Sequence, residues 1–478
     1  CEKALNDCEA KVSLKDHLDT ISVIRFTGDT PNRDSATTDL WGYSNMPRSL
    51  GNSLGISVPN EIYTTTGGNS PQLLLNEICN RIKDQKMDCA LLAGGEALDT
   101  FVSRLKDGLE VNWGDNPGGE PESLGSLRDL GSEFEKKHGI FEPSSVYPLF
   151  ANSIRGNEGK SANQHQEDIG NLFSRFSEIA SENEFSWFKI HRSVEEIVET
   201  TPQNRMVSFP YTKYMNSIIR VNQSAALVIT SAKKAKELGI PTSKWIFMHG
   251  AGCINDIWNI TERENLYSSP AIRKCAEAIF SKAGCTQSDV SFYDLYSCFP
   301  SAVQIAKKEI GIPEKDLRDL TVTGGLPYYG GPGSAYVVNS LASMVNKLRE
   351  NQGSYGLVNA NGWFLTKHGL GIFSSTPFLG EWNQVVDSSL LQKEIESLEH
   401  PEFIEEATGR GSIETYTVVN SREGPTKAII IGRMEDGKRF VANTERNENL
   451  LTKMMQKEML NATGTVKFDN SRNIFQPD

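Results

Sequence analysis

Twice along this chain an apolar strand enters a glycine-rich turn and leaves it as an amphipathic helix, and no other feature restricts the fold so tightly. The first copy is "EIYTTTGGNSPQLLLNEICNRI", residues 61–82. Ser70 suits the N-cap and Pro71 the N1 position, where a missing N–H costs nothing. Leu74, Ile78 and Ile82 then recur at i, i+4 and i+8 and give the helix a buried face. The second copy, "TGGLPYYGGPGSAY", leads into a helix with Ala335, Val338, Leu341, Val345 and Leu348 on one side. Apolar strands such as "MDCALLAGGEAL" and "VSFYDLYSCFP" alternate with helices around both copies, which is the pattern of a layered α/β domain with a largely parallel sheet. Two related α/β halves are therefore expected.

Two regions break the alternation. From about residue 100 to 215 loop, mixed and helical stretches follow one another, and we read them as an insertion carried on the first sheet. After about residue 385 a charged helical stretch precedes "IETYTVVN", "KAIIIGRM" and "RFVANTE", with Asp436-Gly437 as a hairpin turn and "NLLTKMMQKEML" as a covering helix. This reads as a small β domain of the OB type. A tight Asn-Gly turn is likewise expected between the two strands of "SYGLVNANGWFLTKHGLGIFSST".

A chain of 478 residues is long for one core, so two or three domains are the prior. Its 61 acidic against 49 basic residues leave a net charge of −12, which argues against a general nucleic-acid or anionic-membrane surface. No apolar run approaches the roughly 18 residues of a membrane span. The eight cysteines form no CxxC pair and read as reduced thiols of an intracellular protein, its compartment unspecified. The sequence opens at Cys1 without methionine or a signal-peptide pattern, and "IFQPD" is no peroxisomal address.

Five motifs in order, "TTTGGNSPQ" before "LLAGGEAL", then "PYTKYMNSIIRVNQSAALVI", "YDLYSCFPSA", "TGGLPYYGGPGSA" and "NANGWFLTKHGLG", resemble the thiolase superfamily and most closely its thiolase-like type 1 branch, related to the sterol-carrier-protein thiolases. The resemblance implies a duplicated five-layer α/β/α/β/α fold. The halves would comprise residues 1–100 plus 216–239 and residues 240–385, with a loop domain at 101–215 that binds coenzyme A and the OB-like domain at 386–478. It also implies that the chain opens at the helix after the first strand, so that either the central strand of the first sheet is missing or another segment fills its place. The chemistry implied is acyl transfer or Claisen condensation, with monomer or homodimer as the assembly and the C-terminal domain as a possible place for a protein partner.

Carried over position by position, the family's catalytic groups are replaced. The acylated cysteine falls on Gly68, beside Asn69 and Ser70 of the same turn. The histidine of a Gly-His-Pro turn falls on Gly331, the asparagine of the Asn-Glu-Ala-Phe motif on Tyr296, and the second cysteine near Asn359 to Asn361. Cys79 lies nine residues beyond Ser70, about 13 Å along the helix at ~1.5 Å per residue, too far to substitute.

The remaining candidates follow from chemistry. A phenol at Tyr296 could act as acid or base in a retro-aldol cleavage, as on the similar thiolase-fold sterol side-chain aldolases, or simply fill space; Tyr328 and Tyr329 share that ambiguity. His249 and His368 sit beside glycines at strand ends, positions that face clefts or carry structural hydrogen bonds. Cys298 reads as a small buried hydrophobe, and "GGPGSA" lacks the Gly-Lys-Ser/Thr ending of a P-loop. Lys189, Arg192, Arg205 and Lys213 of the insertion could hold coenzyme A phosphates. No metal-ligand spacing is present. The expected function is that of a thiolase-like protein of lipid metabolism that binds coenzyme A or an acyl-CoA without the ordinary thiolase nucleophile. The alternatives are a lyase or acyltransferase with other residues, and a structural subunit.

Overall fold

The computed structural model describes residues 1–29 and 42–478. Its first sheet holds five strands in the spatial order Glu122–Leu124, Asn60–Thr64, Thr20–Val23, Cys89–Ala97 and Asn222–Thr230, the last antiparallel and the other pairings parallel. The second holds four, Phe247–Asn255, Lys367–Ser374, Tyr355–Gly362 and Val290–Asp294, with the last two paired in parallel. Helices Ser70–Lys83 and Tyr336–Glu350 touch strands of both sheets and so form a middle layer. Met46–Leu54 covers the far side of the first sheet and Pro270–Ala283 that of the second, completing the expected α/β/α/β/α stack. Leu74 and Ile78 are fully buried in the core between the sheets, as the i, i+4 spacing requires. No helix among the described residues is long and apolar enough to cross a membrane.

At the C-terminus, Gly409–Asn420, Pro425–Met434, Arg439–Asn443, Arg472–Pro477 and Thr463–Asp469 close on one another into a small barrel. Closure leaves no free edge around its core of Ile413, Val418, Ile430, Phe440 and Phe475. The helix Glu448–Gln456 buries Leu451 and Met454 in that core. Two short strands of the insertion, Met206–Ser208 and Tyr211–Thr212, join the barrel through Ser208 opposite Val419, so insertion and barrel share one sheet.

Three local expectations are corrected. The centre of the first sheet is filled: Thr20–Val23 pairs with Asn60–Thr64 on one side and Cys89–Ala97 on the other, its four residues all buried. The Ser70 helix is N-capped by Asn69, with Ser70 already helical and its hydroxyl donating to Thr65 O at 2.8 Å. Asn361-Gly362 is not a turn. Both residues stay in the ladder, opposite His368 and Lys367, and the chain reverses over Trp363–Thr366 with Trp363 and Leu365 at φ of 58° and 51°. Tyr147 of the insertion explains that choice, because its hydroxyl donates to Trp363 O at 2.7 Å and accepts from Asn361 Nδ2 at 2.8 Å and from Leu365 N–H at 3.3 Å.

The helix Ala162–Glu182 of the insertion opens with a capping box, Ser161 with Gln164. Just inside it His165 is fully buried with neither ring nitrogen hydrogen-bonded. Burial pushes its pKa down to about 4. The unfolded chain thus takes up a proton between pH 6.5 and 4 that the folded chain refuses, and stability falls as pH drops through that window. At about 1.4 kcal/mol per pH unit the loss approaches 3 kcal/mol. Urea unfolding of the native protein from pH 7 to 4.5 should show this acid limb, and His165→Leu should flatten it.

Candidate active site

The first glycine turn brings the strand Asn60–Thr64 to the N-terminus of the Ser70 helix. Gly67 N–H donates to Ser334 Oγ at 3.0 Å and Ser70 N–H to Gly67 O at 2.9 Å. Neither bond engages the N–H groups of Gly68 and Asn69, which stand at the positive end of the helix dipole. Ser334 belongs to the second glycine turn, so the two turns meet across the middle layer.

Facing Gly68 are groups from three further segments. A Cβ on Gly68 would overlap the main-chain oxygen of Asn361 and the hydroxyl of Tyr296. Tyr296 is held by its own N–H, which donates to Asn359 Oδ1 at 3.3 Å, and by edge-on packing against Tyr336 at 5.5 Å. Asn361 Nδ2 also donates to Cys298 Sγ at 3.8 Å. Around this meeting point three buried amide atoms have no partner: Asn69 Oδ1, Asn359 Nδ2 and Asn361 Oδ1. Buried polar groups left unpaired each cost about 1–3 kcal/mol, so their convergence marks a place that takes a polar ligand or water.

Burial raises the phenol of Tyr296 well above its usual range, with the Cys298 thiol adding to it, so at neutral pH Tyr296 is a hydroxyl that can donate and not a phenolate base. Burial also pushes the Cys298 thiol up to about 12, and that of Cys79 likewise to about 12. Neither supplies a thiolate near pH 7. At Gly331, where the resemblance implied the activating histidine, a Cβ would overlap the hydroxyl of Ser217, and the N–H donates to Ile218 O at 2.9 Å.

The two histidines are placed apart. His368 pairs with Asn361 across the strands, but its Nε2 is bound to Asp256 Oδ2 and to Leu365 O, each at 3.1 Å, on the face packed against the Pro270 helix. His249 sits toward the other end of its strand, five residues from the Ile254 that pairs with His368, or about 16 Å at ~3.3 Å per residue. Its Nε2 meets Thr376 O at 2.8 Å, and burial lowers its pKa. Neither ring reaches Gly68.

Of the candidate phosphate cations, Arg192 and Lys213 flank one ring, Tyr214, at 3.8 Å and 5.8 Å from its centroid. Tyr214 O accepts from the Tyr328 hydroxyl at 3.1 Å, which links the pair to the second glycine turn. Tyr329 O of that turn accepts from Trp187 N–H at 2.7 Å. Lys189 is exposed on the same segment, whereas Arg205 is committed to Met206 O at 3.0 Å and Asn420 O at 3.5 Å. Two cations beside an aromatic ring fit the phosphates and base of a coenzyme A. Among the described residues Glu158, His165 and Asp168 are the one group spaced for a metal ion, but Lys160 bridges the two carboxylates at 3.0 and 2.8 Å.

Tyr147 and Ser334 escaped sequence reasoning as holders of the site. Tyr147 lies in "EPSSVYPLF", which carries no motif, and only its position beneath the Trp363–Thr366 reversal gives it a role.

Comparison with known proteins fits this geometry. A profile described as the thiolase-like protein type 1 additional C-terminal domain matches residues 390–471. The crystal structure of a monomeric SCP2-thiolase like protein type 1 from Mycobacterium smegmatis superposes with a TM-score of 0.83 at 30% identity, over 99% of this chain and 92% of that one. Benzoylsuccinyl-CoA thiolase subunit BbsB of Thauera aromatica is 24% identical over 314 residues, 61% of this chain and 78% of the relative. An Ltp2-ChsH2(DUF35) aldolase structure, at 16% identity and a TM-score of 0.55 over 78% of this chain and 94% of that one, shares the fold.

Proposed function

The chain belongs to the SCP2-thiolase-like type 1 family of the thiolase superfamily, and from that premise we propose that it binds an acyl-CoA or related thioester without forming the acyl-enzyme of a thiolase. The observation that carries this reading is the filling of the nucleophile's place, since at Gly68 a neighbouring carbonyl and a phenol stand where a side chain would project. What supports ligand binding is the retained helix N-terminus, the unpartnered amides of Asn69, Asn359 and Asn361, and the cations at Tyr214. The thioester oxygen would accept from the turn's free N–H groups, and the coenzyme's phosphates would meet Arg192 and Lys213.

Titration calorimetry with CoA, acetyl-CoA and longer acyl-CoAs is expected to show binding, while intact mass spectrometry of the incubated protein shows no adduct. Arg192→Ala and Lys213→Ala should each weaken binding roughly tenfold, about 1.4 kcal/mol. Absence of binding to the whole series ends the reading.

A second reading rests on Tyr296, a protonated phenol directed at the turn. It could give a proton to a leaving enolate in a carbon–carbon cleavage. Turnover abolished in Tyr296→Phe with ligand affinity unchanged would favour it over simple binding.

A further inference from the structure

Lys367 is the one site-side residue whose chemistry nothing above uses. It begins the strand Lys367–Ser374, opposite Gly362. Alternation along that strand puts Lys367, Gly369 and Gly371 on one face, and Gln72 of the Ser70 helix packs against both glycines. The lysine stem thus leaves the sheet on the side of the nucleophile turn. Gly362 confirms the direction, because a Cβ there would lie 2.6 Å from Asn69 Oδ1 and 3.4 Å from Lys367 Cβ.

The surroundings of its amine are unlike those of a structural lysine. Lys367 is 4% exposed, yet no carboxylate lies within ion-pair distance of it among the described residues. Its Nζ has one hydrogen-bond acceptor, Ser126 O at 3.5 Å, and lies 5.2 Å from the ring of Trp363 and 5.5 Å from that of Trp258. The charge facing the same indole is another cation, Arg128, 4.6 Å from the Trp258 ring. Trp363 covers the amine from a left-handed backbone, φ 58°, in the reversal that Tyr147 ties down with its three hydrogen bonds. A bulky residue held in that region costs on the order of 1–3 kcal/mol and persists where surrounding structure imposes it, which happens most at functional sites.

We propose that Lys367 is a reactive amine of this site, one that condenses with the ketone or aldehyde carbonyl of a ligand such as a 3-oxoacyl thioester. The nitrogen lone pair forms the C–N bond. The carbonyl oxygen then leaves as water, taking both hydrogens of the amine, and the resulting imine is protonated from solvent to an iminium, with no oxidant or reductant required. Burial supports the chemistry by pushing Lys367 down to about 8, while the two indoles pull the other way by favouring the ammonium. If burial wins, about half of Lys367 is unprotonated at pH 8, against under about 1% of an ordinary exposed lysine. Trp258 and Trp363 are each partly exposed, so one layer of side chain separates the amine from solvent.

The test uses the native protein and does not depend on acyl-CoA binding. Reductive methylation with 13C-formaldehyde and cyanoborohydride, followed by peptide mapping and NMR titration from pH 6 to 11, reads the amine directly. A midpoint near 8 at Lys367 is the expected result. Incubation with ethyl acetoacetate or acetoacetyl-CoA plus cyanoborohydride should then leave a reduced adduct on Lys367 that Lys367→Arg lacks and that Lys315→Arg, at an exposed lysine outside the site, retains. An adduct with the ester alone supports the reactive amine and removes the acyl-CoA reading. A midpoint above 10, or labelling of surface lysines with none at Lys367, overturns the proposal and makes the tryptophans the cage of a structural ammonium.

Discussion

Gly68→Cys yields a less stable protein that still forms no acyl adduct. If residue 68 is the nucleophile's place, as proposed, a thiol there is the first test of thiolase chemistry, and here the surroundings forbid it. A Cβ at residue 68 overlaps both the Tyr296 hydroxyl and the main-chain oxygen of Asn361. The phenol can swing aside; the carbonyl is backbone of the strand Tyr355–Gly362, which at Asn361 is paired with His368 of the neighbouring strand, and moves far less freely. Overpacking of this kind costs about 1–3 kcal/mol, and the backbone partner puts the cost at the upper end. Gly68→Cys/Tyr296→Ala relieves one of the two overlaps, so it should recover part of the stability and remain inert to acetyl-CoA by mass spectrometry. Acylation of either variant would show that the strand end yields and that the turn can carry a nucleophile.

The largest loss of stability is expected from Arg439→Met. Arg439 is fully buried where the barrel meets the second half. It pairs with Glu414 of the barrel at 2.6 Å and donates across the junction to the main-chain oxygens of Thr261, Arg263 and Glu264, the first at 3.0 Å and the last at 2.9 Å. Methionine keeps much of the volume but leaves three carbonyls, those of buried Thr261 and Arg263 and that of exposed Glu264, without this donor. Arg433 still neutralises Glu414 at 2.8 Å, so the penalty falls mainly on those carbonyls, about 3 kcal/mol within the 3–5 typical of a broken buried pair. Urea unfolding should show that loss together with earlier melting of the barrel. A change under about 1 kcal/mol would mean that the apolar contact alone holds the barrel in place.

Much of the architecture was legible beforehand because its signals are local. The 3.6-residue spacing of Leu74 and Ile78, the glycine turns and the Asp436-Gly437 hairpin each depend on neighbours within a few residues, and all three appear in the structure, the last with Gly437 at φ 88°. Where local rules competed with tertiary contacts they lost. Asn361-Gly362 has the composition of a tight turn, but Tyr147, more than two hundred residues earlier in the chain, pins the reversal two residues later. Ser70 has the composition of an N-cap, but its hydroxyl reaches back to Thr65 and Asn69 takes the position.

At the site the division is sharper. Sequence alone determined that this is a two-half α/β chain with an insertion and a small barrel, and its resemblance to a known family implied the places of the cysteine and histidine at Gly68 and Gly331. Only the tertiary structure decided what surrounds Gly68 and Gly331, that His249 and His368 are bound elsewhere, and that the amine of Lys367 lies between two indoles without a counter-ion among the described residues. The physical reason is that side-chain identity and spacing are written along the chain, whereas the groups around Gly68 converge from distant segments, and the one that blocks it most firmly, the carbonyl of Asn361, is backbone that every residue carries alike.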